Sequence, residues 1–202
     1  MNRSDPGCKM QVDAIEVDGR RLRGESTRRK IVEALLDLVR EGDSAPSADV
    51  VAARAGVARR TVFRLFKDMD SLYREMSAIM LRRVAPIVEQ PLAGSNWRSR
   101  LDQLLERRAL VFEELLPLQA ASEAHRIQSA FLQSEHRTLV KTQREILVSV
   151  LPAQIVNQPI LVDALDLVMS LESWRRLRHH QRLTRKESQL VVACVVRALV
   201  DD

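Results

Sequence analysis

Between Ser26 and Leu199 the apolar residues recur every three or four positions, and no segment alternates every second position for long enough to make a strand. This periodicity constrains the fold more than any other feature. Ile31, Ala34, Leu35, Leu38 and Val39 follow the i, i+3, i+4, i+7, i+8 rule and lay one apolar stripe along a helix. Aromatic residues are only 3% of the chain and glycines only 6 of 202 residues, so Leu, Val and Ala must carry the core. Helices packing on helices are therefore expected, an all-α fold.

The punctuation divides the chain. Residues 1–25 show no sustained period and are expected to form a flexible arm, read first as a solvated tail, with phosphate or minor-groove contact by Arg20, Arg21 and Arg23 as the alternative. A first helix starts at Ser26 or Thr27 and ends at Gly42. A short second helix, capped by Ser47, runs to Ala55, and a third runs from about Ala58 to Phe66. Asp68 or Asp70 caps a fourth, reaching about Val88. Further helices are expected over 97–116, ended or kinked by Pro117, over 119–132, over 135–151, over 159–180, and from Thr184 to Leu199. Thr184 and Glu187 form a capping box on the last. The punctuation divides the chain into the arm, a helical domain over 26–73 and a second helical domain over 74–202.

Net charge is +5 and is spread along the chain, so bulk basicity decides nothing. The two cysteines, Cys8 and Cys194, suggest neither a disulfide framework nor a zinc site. The longest charge-free run, 146–162, contains two prolines and is too short to span a bilayer. A soluble cytoplasmic protein is expected.

The stretch AGVARRTVFRLF, residues 55–66, crowds Arg59, Arg60 and Arg64 beside Val62, Phe63 and Phe66 just after Gly56. From Gly56 to Lys67 there are four cations and no acid. Two short helices joined at a glycine read as a helix-turn-helix. Ala52 is small enough to let the third helix approach, Gly56 accepts positive φ, and Val57 fills the angle between the helices. On a helical wheel, Arg60, Thr61 and Arg64 share an arc of about 100°, while Val62 and Phe66 lie opposite. One side anchors the helix and the other offers guanidinium forks that match guanine edges. Lys67 suits a phosphate.

The segment PSADVVAARAGVARRTVFRLFKDMDSLY resembles the DNA-binding domain of the TetR family of bacterial transcriptional regulators, and the resemblance covers about residues 26–73. The distal stretch SWRRLRHHQRLTRKESQLVVACVVRALV is similar to the end of some members. The resemblance implies a regulator, most often a repressor, with Ser47, Arg59, Arg60, Thr61, Phe63, Arg64 and Lys67 at the DNA. It implies a homodimer built on the last two long helices, a near-palindromic operator and a small-molecule effector. Ala58 stands where the family often has Ser or Thr, Phe63 where it often has Tyr, and Met69 where many members have Lys. A helical ligand-binding or interaction protein without DNA-binding activity is the alternative.

Two apolar faces are candidates for the dimer seam: Ile160, Leu161, Ala164, Leu165, Val168 and Leu171, and Leu190, Val191, Cys194, Val195, Ala198 and Leu199. Candidates for an effector pocket are Trp97, Leu104, Phe112, Leu115, Gln119, His125, Phe131, Met169 and Trp174. His125 and His136 lie eleven apart but lack the E-x-x-H or H-E-x-x-H spacing of metal-binding helices, so no metal is expected. With no phosphate loop, dinucleotide fingerprint or catalytic triad, neither a cofactor nor an enzymatic activity is expected.

Overall fold

The computed structural model describes the backbone of residues 6–43 and 45–201, with side chains from residue 22 onward except 44, 120 and 124. Among the described residues all regular structure is helical, giving an all-α fold. The chain divides into two compact units, Met1–Met76 and Ser77–Asp202.

In the first unit, α1 (Pro6–Arg40) packs on α2 (Ala48–Arg54) and α3 (Arg59–Leu65), and the opening turns of α4 (Met69–Val88) complete it. Helix α1 begins long before Ser26, so the backbone from Pro6 is helical where an arm was expected. Pro6 suits a first helical turn, and no further proline stands before Arg40 to stop it. Residues 1–5 and the side chains of Arg20 and Arg21 lie outside the described residues; Arg23 is exposed on α1. Thr27, expected as a cap, instead donates its hydroxyl to the Arg23 carbonyl at 2.8 Å, as a threonine inside a helix does. Helix α1 stops at Gly42, whose φ is +101°.

The stripe predicted for α1 is buried. Ile31, Leu35 and Val39, Val51 and Ala52 of α2, Val62 and Phe66, and Leu72, Tyr73 and Met76 of α4 are the buried side chains of the unit's core. Each fully buried side chain of this size stabilises by about 1.5–3 kcal/mol.

The second unit contains α5 (Trp97–Arg126), α6 (Ala130–Val150), the single turn α7 (Ala153–Val156), α8 (Pro159–Val168), α9 (Leu171–Arg175) and α10 (Arg185–Asp201). A π-helical turn, Arg176–His180, follows α9 directly. Leu101, Leu104, Phe112, Leu147, Val162, Leu165, Leu171, Trp174, Val192 and Val196 form its core.

Three boundaries differ from the sequence reading. Pro117 neither breaks α5 nor starts a new helix. One missing amide costs a single helical hydrogen bond, and the buried neighbours Leu115 and Leu116 hold the segment in place. The break falls instead at residues 127–129, where the Ser129 hydroxyl accepts from the Leu132 amide at 3.1 Å and opens α6. The helix expected over 159–180 is interrupted at Met169–Ser170, with Ser170 capping α9 by accepting from the Ser173 amide at 3.1 Å. The capping box on α10 forms as expected. Glu187 accepts from the Thr184 amide at 2.7 Å, and the Thr184 hydroxyl accepts from the Glu187 amide at 3.2 Å.

Candidate nucleic-acid interface

The bend between α2 and α3 is built by backbone geometry. Gly56 has φ +66°. Its amide donates to the Ala53 carbonyl at 3.2 Å, and the Val57 amide donates to Ala52 at 3.0 Å. This pair of bonds is a Schellman motif, which needs a left-handed residue at the position Gly56 occupies. Ala52 is buried, as the close approach of α3 demands. At the start of α2 the Ser47 hydroxyl accepts from the Val50 amide at 3.4 Å. Helix α3 has no side-chain cap, because Ala58 has no oxygen to offer; the Thr61 amide bonds the Ala58 carbonyl at 2.8 Å instead.

Helix α3 is two-faced. Val62 is 2% exposed and Phe66 1%. Arg59, Arg60, Phe63, Arg64 and Lys67 are exposed, and Thr61 is half-buried. Arg59 is partly occupied: it pairs with Asp49 at 3.2 Å and lies over the Phe63 ring at 5.4 Å. An exposed pair of this kind is worth about 0–1 kcal/mol, so a phosphate competes for it easily. Arg60, Arg64 and Lys67 form no ion pair with any described residue. The ridge therefore carries exposed cations free of ion pairs at Arg60 and Arg64, beside the exposed ring of Phe63, 44% accessible, which can meet a thymine methyl.

Two clamps fix the far end of α3. Arg28 of α1 donates to the Leu65 carbonyl at 2.7 Å, lies over the Phe66 ring at 4.5 Å and pairs with Glu75 of α4. Beyond the turn, Asp68 accepts from the Ser71 amide at 2.8 Å and from its hydroxyl at 2.7 Å. Those bonds hold the Asp68 carboxyl below its usual range. Arg28 went unread in the sequence because it sits in a run of three cations, Arg28 to Lys30, that looks like a solvated face.

In the second unit a cavity of about 360 Å³ opens between α5, the junction of α8 and α9, and α10. Of the nine pocket candidates, Phe112, Met169 and Trp174 line it. Leu104, Leu115 and Gln119 are buried elsewhere in the unit, and the half-buried Trp97, His125 and Phe131 do not line it either. Gln119 donates to Glu172 at 3.2 Å. His125 ends α5 while His136 lies in α6, so no straight helix joins them. Arg108 is the wall residue that the sequence reading missed, since an arginine in an amphipathic run reads as surface.

Glu113 ties this region together. It accepts from the Trp174 indole N–H at 2.9 Å and from Arg178 Nε at 2.7 Å. Burial pushes its carboxyl up, but the bonds from Arg178 and Trp174 outweigh that and hold it below the usual carboxylate range.

No helix among the described residues is long and apolar enough to cross a membrane. No protein-family model matches the chain, and no curated protein matches it. A crystal structure of a transcriptional regulator from Rhodococcus sp. Rha1 is similar, with a TM-score of 0.67 and 17% identity over 86% of this chain and 96% of that one. At that identity the likeness establishes the shared fold.

Proposed function

We propose that this chain is a DNA-binding transcriptional regulator of the TetR type. The observation that carries the reading is the α3 ridge. Arg60, Arg64 and Lys67 stand in solvent and form no ion pair among the described residues, while Val62 and Phe66 root the same helix in the core. A charged surface anchored in this way fits the major groove, where a guanidinium fork reads guanine and a lysine meets phosphate. The fold shared with another regulator agrees with this reading. The uncapped α3 and the phenyl ring at Phe63 remove individual phosphate bonds but leave the ridge intact.

The regulator acts as a homodimer on a near-palindromic operator. Support comes from an unpartnered apolar surface on two helices that touch each other, α8 and α10. Ile160 is 86% exposed, Leu167 67% and Leu190 62%, with Val191, Cys194, Val195 and Ala198 exposed beside them. Leu165 and Leu171, expected at the seam, belong instead to the core of the unit. Two-fold pairing would set two copies of α3 one turn of B-DNA apart, about 34–36 Å. The cavity of the second unit serves as the effector site. Derepression of about 100-fold requires a ligand to prefer the non-binding conformation by ~2.7 kcal/mol.

Footprinting on the promoter of the protein's own gene, repeated across salt, tests the reading. A near-palindromic footprint is expected, with log affinity falling by about 0.9 per log unit of salt for each phosphate neutralised. Absence of a footprint at low salt would remove the regulator assignment in favour of a helical ligand-binding protein.

A further inference from the structure

We propose that the cavity of the second unit takes an organic carboxylate with an apolar body, its carboxylate meeting the guanidinium of Arg108; the consequence for gene control rests on the regulator reading above.

Arg108 is the one buried charged side chain among the described residues, at 6% exposure. One terminal nitrogen donates to the Met169 carbonyl at 2.8 Å and the other to the Gln143 carbonyl. Both acceptors are neutral. The interrupted helix makes the first bond possible, because the break at Met169–Ser170 turns that carbonyl away from helical pairing. A guanidinium has five N–H donors; the two carbonyls take one from each terminal nitrogen, and Arg108 is among the residues that line the cavity. No carboxylate lies within ion-pair distance of Arg108 among the described residues. Asp166, whose field raises the Arg108 pKa against the pull of burial, lies 3.6 Å from Arg144, which Asp163 holds more closely at 2.6 Å.

Burial pulls the Arg108 pKa down to about 10, so the group stays cationic at neutral pH. A buried cation with no carboxylate in direct contact is costly to hold, and a bound anion supplies the contact that Asp166 gives only at a distance. A guanidinium fork matches a carboxylate through two parallel hydrogen bonds.

The remaining walls define the body of the ligand. Leu105, Phe112, Met169 and Trp174 are apolar or aromatic, with the Phe112 and Trp174 rings 6.3 Å apart. The indole N–H is already taken by Glu113, so Trp174 offers the cavity its ring. At the exposed rim Asp102 is answered by Arg197 at 3.5 Å, and Glu106 faces solvent with Lys186. Arg108 is therefore the one charged lining residue at the buried end. About 360 Å³ falls within the range of small-molecule sites.

The test uses the full chain and needs no variant to begin. Titration calorimetry compares octanoate, 4-phenylbutyrate and indole-3-acetate with their three primary amides. At least one acid is expected to bind ten-fold or more tightly than its amide. Failure of all three acids to bind, or equal binding of acid and amide, overturns the proposal. In Arg108→Met the ratio is expected to fall to about one, whereas Lys186→Met at the rim keeps it. A ratio that survives Arg108→Met, or is lost in Lys186→Met, also overturns it. Should Arg108→Met fail to fold, Arg108→Lys serves instead, and retention of a preference with weaker binding is expected; an unchanged affinity counts against the proposal. A chain that prefers acids but leaves no footprint keeps this inference and removes the regulator reading. A chain that footprints DNA and ignores acids does the reverse.

Discussion

Gly56→Ala isolates what the bend costs. A Cβ at this position would meet nothing within 4 Å, so collision contributes nothing and only the backbone matters. At φ +66° an L-residue with a Cβ pays roughly 1–2 kcal/mol. Part of that is offset, by about 0.4–1 kcal/mol, because alanine also restricts the unfolded chain. A net loss of about 1 kcal/mol is expected. Gly56→Asn should cost less, since asparagine visits the left-handed region more readily. The two units carry separate probes: Tyr73, the only tyrosine, lies in the first, while Trp97 and Trp174 lie in the second. Urea denaturation followed in the tyrosine band of near-ultraviolet circular dichroism reads the first unit. With a slope of ~1–3 kcal/mol per molar urea, the alanine midpoint should fall by about 0.3–1 M. An unchanged tyrosine midpoint in Gly56→Ala, or asparagine costing as much as alanine, would refute the reasoning.

Two further outcomes follow from the packing. Arg28→Met removes a hydrogen bond to the Leu65 carbonyl, a half-exposed ion pair and a cation–π contact. A loss of about 1–3 kcal/mol is expected in the tyrosine transition, with weaker binding to every DNA sequence alike; a loss confined to some sequences would contradict a purely positioning role. The carboxyl of Glu113 is held below its unfolded value, so its contribution is fully present above the unfolded pKa and is lost as pH falls through the folded one. The tryptophan transition should therefore weaken below about pH 4.5, less steeply in Arg178→Met; identical pH profiles would remove the assigned pairing.

The helix-turn-helix was legible because its determinants are local. Gly56, Val57, Val62 and Phe66 stand within eleven positions, and each has a conformational or packing reason to be what it is. The outward ridge followed from the same short window. The breaks in the second unit were less legible. Pro117 is a strong signal that tertiary packing overrode, whereas Ser129 and Ser170 are weak signals that became caps once their helices were packed. Arg28 and Arg108 were invisible for a different reason. Their partners lie 37, 61 and 35 residues away, at Leu65, Met169 and Gln143. Nothing in the local pattern separates such an arginine from a solvated one.

The central claim is that α3 presents Arg60 and Arg64 to base edges while Lys67 meets phosphate. The most direct measurement is the affinity of the full chain for a series of singly substituted operators, in Arg60→Ala, Arg64→Ala and Lys67→Ala. Each arginine variant is expected to lose ~1–3 kcal/mol and to relax preference at particular base pairs, while Lys67→Ala weakens all sequences uniformly and lowers the salt slope by about 1. Sequence preference that survives intact in both arginine variants would contradict the account.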